Sequence, residues 1–339
     1  MKIWGAGLIG CGAISRVHLA TIDAMENVKL VAVCDVDAQK AQAVAEQYGC
    51  KAYTDYHDLL ADPQVETVHI TTPHYLHVPM AMDALKAGKK VLSEKPISHD
   101  LAQAAQLLDL AKDKDLAICF QNRYNDSTQK AMELIRSGKY GKVVTMRGMV
   151  CWHRDADPYY SQSPWRGSWD TEGGGVLINQ SIHTLDLLLW IGGEVASVKG
   201  AVSTDTLYRD IEVEDSAHFV IHFKNGLLAT FYATNSYGVN APITVEVVLE
   251  KATLELRGDS LYLIENDEMT QLVALPGKRL APAGKGYWGV GHGALIADLY
   301  RSFEAGEHFW IDAQVGYNAL ETLKGVYQSS KENQEIYFK

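Results

Sequence analysis

Cysteine and proline are scarce in this sequence, five and nine among 339 residues. The cysteines, Cys11, Cys34, Cys50, Cys119 and Cys151, are odd in number and never spaced CxxC. That excludes a complete disulfide framework and a zinc ribbon. Three of them sit in apolar runs that read as strands, so the set reads as reduced thiols of a cytoplasmic protein. Basic residues are outnumbered, with 31 Lys plus Arg against 42 Asp plus Glu and a net charge of −11. No basic run or basic–aromatic stripe offsets that balance, which excludes nucleic acid and anionic membrane as expected partners. No apolar run reaches membrane length. The opening, MKIWGAGLIG, lacks the charged start, long apolar core and cleavage site of a secretory signal. The 12 histidines form no HExxH pattern and no Cys/His cluster, so no metal site is expected. Repeats and low-complexity tracts are absent as well.

What is present begins with a regular alternation. The apolar runs at 6–9, 30–34, 65–71, 90–93 and 116–120 are separated by amphipathic stretches at 14–25, 38–48, 78–87 and 101–111. Short apolar strands alternating with helices predict βαβ units, a parallel sheet and a doubly wound fold over residues 1–121. After Phe120 the pattern changes. A helix is predicted at 127–137 and a long strand at 142–152, followed by a loop rich in Trp, Pro and Asp. Strands then follow at 197–202, 216–223, 227–233, 244–249, 253–257 and 261–264. Asn225-Gly226 between two alternating runs is a hairpin signal. A Pro/Gly-rich loop at 276–291 precedes two closing helices, 294–305 and 314–329. Residues 122–339 therefore read as an α+β domain with a large, mostly antiparallel sheet.

The stretch GGGVLINQSIHTLDLLLWIGG, 173–193, reads as one helix, apolar nearly all round and hence buried. Asn179, His183 and Asp186 fall at i, i+4 and i+7, one polar stripe on that helix. Buried polar groups cost free energy unless partnered. A stripe of three beside a triple-glycine entry therefore suggests the wall of an active site.

Gly10-Cys11-Gly12-Ala13-Ile14-Ser15 follows the first strand and opens a helix. Gly10 permits the tight turn, and Gly12 lets backbone approach a pyrophosphate at the helix N-terminus. Ser15 stands where the usual fingerprint has its third glycine. Asp35 ends the second strand 20 residues further on, placed to bond the ribose hydroxyls. No Arg adjoins it to receive a 2′-phosphate, and Asp37 would repel one, so NAD is expected over NADP. His74 and His77 follow a Thr71-Thr72-Pro73 turn and read as a nucleotide-side loop.

With Glu94-Lys95-Pro96 added to these stretches, the chain resembles the glucose–fructose oxidoreductase / inositol dehydrogenase / rhizopine-catabolism (Gfo/Idh/MocA) family. The likeness rests on GCGAIS (10–15), CDVD (34–37), ITTPHYLH (70–77), SEKPIS (93–98), QNRYN (121–125) and GGGVLINQSIH (173–183). It implies an NAD-dependent oxidoreductase moving hydride between NAD and a secondary alcohol of a sugar, sugar derivative or cyclitol. It also implies a second-domain sheet that pairs subunits, here a homodimer or homotetramer. By the same resemblance Gly10, Gly12, Ala13, Ile14, Asp35, Thr72, Pro73, His77, Glu94, Lys95 and Asn122 would hold the cofactor. Lys95 would lie beside the nicotinamide and the reacting hydroxyl, and His183 is the histidine of the family's late motif. The family commonly has Asp where this chain has Asn179. An amide cannot take a proton as a carboxylate does, but it can orient a hydroxyl.

The chemistry supports these roles independently. Oxidising a secondary alcohol needs a group to take the hydroxyl proton, and histidine titrates near operating pH. A lysine close to a cationic nicotinamide would have its pKa lowered by desolvation and like charge. It could donate a hydrogen bond to the developing alkoxide. Arg123, Tyr124, Trp152, Trp165 and Arg166 are candidates for a sugar-binding wall, with His153 and Trp169 beside them and Tyr237 and His292 as lesser ones. Two other readings share these motifs: a redox-neutral NAD-dependent glycosidase, and a catalytically silent sensor of sugar or NAD.

Overall fold

The computed structural model describes residues 2–274 and 291–338. Most of the loop expected at 276–291 lies outside them. Two compact units divide the described residues: 2–121 with 291–317, and 122–274 with 318–338. The segment 291–317 differs from the expected arrangement, which gave both closing helices to the second domain.

The first unit is built on a parallel sheet ordered β3-β2-β1-β4-β5-β6. Its strands are β1 (Trp4–Ile9), β2 (Val28–Cys34), β3 (Lys51–Tyr53), β4 (Thr67–Ile70), β5 (Lys90–Ser93) and β6 (Leu116–Ile118). Helices α1 (Ser15–Asp23), α2 (Ala38–Tyr48), α3 (Tyr56–Ala61), α4 (His74–Lys86) and α5 (Leu101–Ala111) connect them. The caps explain the boundaries. Asp37 accepts from the amides of Gln39 and Lys40 to start α2, and Gly49, at φ 66°, ends it. Asp100 starts α5 in the same way. Ser93 pairs with Ile70 and Ile118, so β4, β5 and β6 end level, and the turns that follow them share one edge of the sheet. Residues 291–317 join this unit because α8 (His292–Ala305) is amphipathic, burying Leu295, Ile296, Leu299, Tyr300 and Phe303. Phe303 meets the Trp4 ring of β1 at 5.8 Å, and the Tyr300 hydroxyl bonds Thr67 of β4.

The second unit is built on nine described strands in a mixed sheet ordered β14-β13-β12-β11-β7-β10-β9-β8-β15. After helix α6 (Asp126–Ser137), β7 (Val143–Cys151) forms its centre, between β11 (Thr244–Leu249) and β10 (Leu228–Thr234). The β7–β10 pair is parallel and the other pairs are antiparallel. The hairpin from β9 (Ser216–Phe223) to β10 turns at Asn225-Gly226, with Gly226 at φ 87°. Outside these lie β8 (Val195–Ser203), β12 (Thr253–Arg257), β13 (Ser260–Glu265), β14 (Glu268–Val273) and β15 (Ile336–Tyr337).

The stretch expected as one helix over 173–193 is two pieces. Val176–Gln180 is a single wide turn, and α7 (Ile182–Gly192) begins only after Ser181. The Ser181 amide reaches back five residues to the Val176 carbonyl, and its hydroxyl bonds the same oxygen at 2.7 Å. The extra residue in that turn breaks the helical register. Asn179 therefore does not continue the stripe of His183 and Asp186.

Candidate active site

In the first unit the glycine loop leaves β1 with Gly10 at φ 95°. A Cβ there would fall 2.8 Å from Thr72 and 2.9 Å from the Thr71 carbonyl, so the turn requires glycine. Gly12 and Ala13 are exposed, and a Cβ on Gly12 would meet nothing within 4 Å. No side chain caps α1, which leaves its first amides facing that opening. Ser15 is buried, and its hydroxyl donates to the Gly12 carbonyl at 2.7 Å. The departure from the usual third glycine thus becomes a brace for the loop.

Asp35 is half-buried at the end of β2 and accepts from the amides of Cys11 at 2.8 Å and Asp37 at 2.9 Å. Each carboxylate oxygen keeps a second lone pair for a ribose hydroxyl. Asp35→Ser should relax the preference for NAD over NADP by about 1–3 kcal/mol and weaken NAD binding, because the Cys11 brace is lost too. Titration calorimetry with both cofactors measures it, and a wild type that bound NADP more tightly would overturn the assignment.

Glu94-Lys95-Pro96 leaves the end of β5, with a cis peptide bond between Lys95 and Pro96. Lys95 is half-buried between two buried neighbours. Glu94 points inward. Its carboxylate accepts from His18 Nε2 at 3.0 Å, from the Lys95 amide at 3.3 Å and from the Cys119 thiol. Burial alone would raise its pKa, but the His18 hydrogen bond and the charges of His18, His292 and Lys95 outweigh that and hold it far below the usual carboxylate range. Behind His18 runs a buried chain: its Nδ1 meets His69 Nδ1 at 2.9 Å, and His69 Nε2 meets the Tyr300 hydroxyl at 3.0 Å. His18, Glu94, Cys119 and His292 offer metal-type donor atoms within 4.8 Å of one another. A tetrahedral zinc site needs ligand separations of about 3.3–3.8 Å, and Glu94 is already satisfied by hydrogen bonds, so the cluster reads as a carboxylate clamp.

His74 and His77 occupy the first turn of α4, both buried, instead of a nucleotide-side loop. His77 Nδ1 lies 2.7 Å from the Pro96 carbonyl and Nε2 lies 2.9 Å from the Thr72 carbonyl. It ties the Lys95 turn to the Thr72-Pro73 turn, both of which are expected to face the cofactor.

In the second unit the glycine entry is packed against its own neighbours. A Cβ on Gly174 would fall 2.1 Å from the Tyr327 hydroxyl, and one on Gly175 would fall 2.0 Å from the Glu214 carbonyl. Glu214, fully buried, accepts from the amides of Gly175 and Leu177 and from Tyr327. Burial raises its pKa despite those donors. Asn179 and His183 are half-buried amid buried neighbours. The Asn179 amide nitrogen donates to Glu172, a buried carboxyl that also accepts from the Gly167 amide at 2.6 Å. Asp186 is buried and takes a two-pronged bond from Arg123, Nε at 2.8 Å and Nη2 at 2.7 Å.

The candidates for a sugar wall separate into groups. Trp152, Trp165 and Arg166 join one stack that also takes in Arg154 and Tyr159. Arg154 lies 4.8 Å over Trp152 and 5.1 Å over Tyr159, and Arg166 lies 4.3 Å over Tyr159 and 5.1 Å over Trp165. Gln180 donates to the Tyr159 hydroxyl at 2.6 Å, which links the stack to the turn that carries Asn179. Arg123 lies outside this stack, committed to Asp186 and to the Trp190 ring at 5.1 Å. Tyr124 is half-buried, and Asn122 is buried in the single turn Gln121–Tyr124. His292 stands in the first unit beside Glu94. Sequence reasoning passed over Glu172, Arg154, Tyr159 and Gln180. Only the position of Glu172, directly before the glycines, could have drawn attention to it.

A doubly wound unit with a glycine loop after β1 and an acid at the end of β2 is the architecture of a dinucleotide-binding domain, here followed by a unit with a large mixed sheet. Residues 4–122 match the family described as GFO_IDH_MocA, oxidoreductase family, NAD-binding Rossmann fold, and residues 128–255 match the GFO/IDH/MocA C-terminal domain. The chain belongs to the Gfo/Idh/MocA family. It is 27% identical over 281 residues to levoglucosan dehydrogenase of Pseudarthrobacter phenanthrenivorans, 73% of this chain and 72% of that protein. It is 29% identical over 260 residues to an inositol 2-dehydrogenase/D-chiro-inositol 3-dehydrogenase of Lactiplantibacillus plantarum, 74% of this chain and 70% of that one. Among solved structures, the WlbA dehydrogenase from Bordetella pertussis, in complex with NADH and UDP-GlcNAcA, superposes with a TM-score of 0.85 at 26% identity, covering 100% of this chain and 99% of that one. A levoglucosan dehydrogenase in complex with NADH and levoglucosan gives a TM-score of 0.88 at 23% identity, covering 99% of each, a likeness of fold.

Proposed function

We propose that the chain acts on a ring secondary alcohol of a sugar, sugar derivative or cyclitol, with Lys95 and His183 as the catalytic pair and Asn179 positioning the substrate. The observation that carries it is placement within each unit: Lys95 follows β5, at the sheet edge where the turns after β4, β5 and β6 gather, and in the second unit Asn179 and His183 are half-buried just after the packed glycine entry. The nicotinamide, when bound, accepts or returns the hydride. His183 takes the hydroxyl proton as general base. Lys95 donates a hydrogen bond to the oxygen as negative charge develops on it. The stack from Trp152 to Trp165 supplies flat apolar faces and guanidinium donors suited to a polyhydroxylated ring. Levoglucosan, an inositol and a nucleotide sugar acid are named for its relatives, and a ring carrying secondary hydroxyls is what these share.

The experiment is a screen for NADH absorbance over inositols, aldoses, anhydrosugars, uronates and nucleotide sugars. Stoichiometric NADH from a ring alcohol is the expected result. Substrate conversion without net NADH would favour a redox-neutral glycosidase, and NAD binding with no conversion across the panel would favour a sensor.

We also infer a homodimer or homotetramer, formed through the sheet face that carries Tyr232, Met149 and Val220. Tyr232 is 44% exposed there, and Met149 and Val220 are partly exposed. Such a sheet face favours burial against a second copy. Light scattering should give a multiple of the 37.4 kDa chain mass, and Tyr232→Arg should lower it. A monomer at micromolar concentration would remove the reading. Free cysteines fit a reducing compartment, which supports the cytoplasm. Among the described residues no helix is long and apolar enough to cross a membrane.

A further inference from the structure

We propose that His18 is a positioning residue, whose buried pairing with Glu94 braces the nucleotide-binding helix α1 against the turn that presents Lys95. The proposal rests on the reading of Lys95 as a catalytic residue, and all of its parts lie in the first unit.

His18 stands one turn into α1, whose first amides face the opening at the glycine loop. It is fully buried, and its Nε2 lies 3.0 Å from Glu94 Oε1. The other Glu94 oxygen accepts from the Lys95 amide at 3.3 Å, so one carboxylate grips both the helix and the turn. Glu94 belongs to the stretch expected to touch the cofactor, yet it is buried and aimed inward. Its influence on the site therefore passes through what it holds.

The hydrogen-bond directions point to a charged pair. A carboxylate only accepts, so His18 Nε2 carries a proton. His18 Nδ1 and His69 Nδ1 lie 2.9 Å apart and share one proton between them. Burial holds the His69 ring neutral, so it has one proton to place. Placed on Nε2, that proton goes to the Tyr300 hydroxyl, Tyr300 donates to Thr67, and Thr67 donates to the Gly5 carbonyl at 3.5 Å. Every group in the line is then used, and the proton between the rings belongs to His18, which becomes an imidazolium. Placed on Nδ1, the same proton reverses the line, takes Thr67 from the Gly5 carbonyl and leaves the buried carboxylate beside two neutral rings. His292, 3.9 Å from Glu94, offers no substitute, because burial pushes it down to about 4. A buried carboxylate without an adjacent cation is costly, which favours the first arrangement.

Around Glu94 stand His18 of α1, His69 of β4, His77 of α4, His292 of α8, Cys119 after β6, and Lys95. Among these His18 lowers the carboxyl most, against the rise from burial. Without His18 burial prevails, and Glu94 takes up a proton as pH falls, which weakens its hold on the Lys95 amide.

The decisive measurement is the ¹⁵N spectrum of the His18 ring in full-length labelled protein, assigned through the backbone resonances of residue 18. At about pH 7 both ring nitrogens should be protonated, and Glu94→Gln should leave one bare. A neutral His18 ring, or a ring charge that ignores Glu94→Gln, would overturn the proposal. If the variant fails to fold, the wild-type ring alone decides. Binding and kinetics separate positioning from a structural role. His18→Gln should weaken NAD binding by about tenfold and lower kcat/KM. Its pH profile should gain an acid limb absent from the wild type, as Glu94 titrates, and the double variant His18→Gln/Glu94→Gln should lose that limb. Loss of thermal stability with wild-type NAD affinity and profile shape would show a structural role only, and the proposal would fall. If Lys95→Ala kept wild-type turnover, the reading of Lys95 would fall, while NAD affinity and the ring resonances would still decide whether His18 braces α1.

Discussion

Lys95→Ala should lower kcat by about 10²–10⁴ while leaving NAD affinity nearly unchanged, and His183→Ala should do the same. Neither side chain supports the pyrophosphate or ribose positions, which fall to the Gly10–Ser15 loop and Asp35. At Lys95 the hydrogen bond to Glu94 comes from the backbone amide and survives. At His183 the residue sits in the first turn of α7, half-buried, where alanine is a good helix former. A loss confined to kcat, with KM unmoved, would mark interactions made in the transition state alone. The two losses should not add, because base and hydrogen-bond donor serve one step. Near-wild-type turnover in His183→Ala would make that histidine structural and leave Lys95 as the base to test first.

The largest effect on stability is expected at Asp186→Ala, about 3–5 kcal/mol in urea unfolding. The pair with Arg123 is buried on both sides, 5% and 1% side-chain exposure. Burial raises the Asp186 carboxyl, and the Arg123 charge and bonds oppose that rise. Removing the acid strands a guanidinium that cannot deprotonate. Arg123→Ala should cost a similar amount, and the double variant should be less damaging than the sum of the two. A loss below about 1 kcal/mol would mean that Arg123 finds another acceptor, and its candidacy for the sugar wall would revive.

The strand–helix alternation of the first unit was legible because each boundary has a local cause. Asp37 and Asp100 cap where they stand, and Gly49 stops α2 in the left-handed region. The pieces that escaped sequence reading are short or exposed. β3 has three residues, α3 has six, β15 has two, and β14 is exposed along almost its whole length. None carries enough apolar periodicity to register, although Asp55 capping α3 was a readable sign. The wide turn at 176–180 was invisible for a different reason. Its sequence, VLINQ, has ordinary helical character, and the break comes from Glu214, far away in the chain, which accepts from the amides of Gly175 and Leu177 while Tyr327 donates to it. Of the candidate site, Lys95, His183 and Asp35 follow from motif position. Glu172 carries only its place before the glycine run as a sign, and its burial beside Asn179 is what the sequence does not show.

The return of residues 291–317 to the first unit has a consequence for how the molecule is made. The nucleotide-binding unit looks like an N-terminal domain that could fold on the ribosome as soon as it emerges. It cannot be completed then. Trp4 lacks Phe303, Thr67 and His69 lack the Tyr300 hydroxyl, and Glu94 lacks His292 until the segment 292–303 has been translated. The second unit waits longer still, for Tyr327 to reach Glu214 and for β15 to pair with β8. Both units therefore close on the segment 291–338, and a nascent chain stalled before it would present two open cores to the cell's chaperones and proteases.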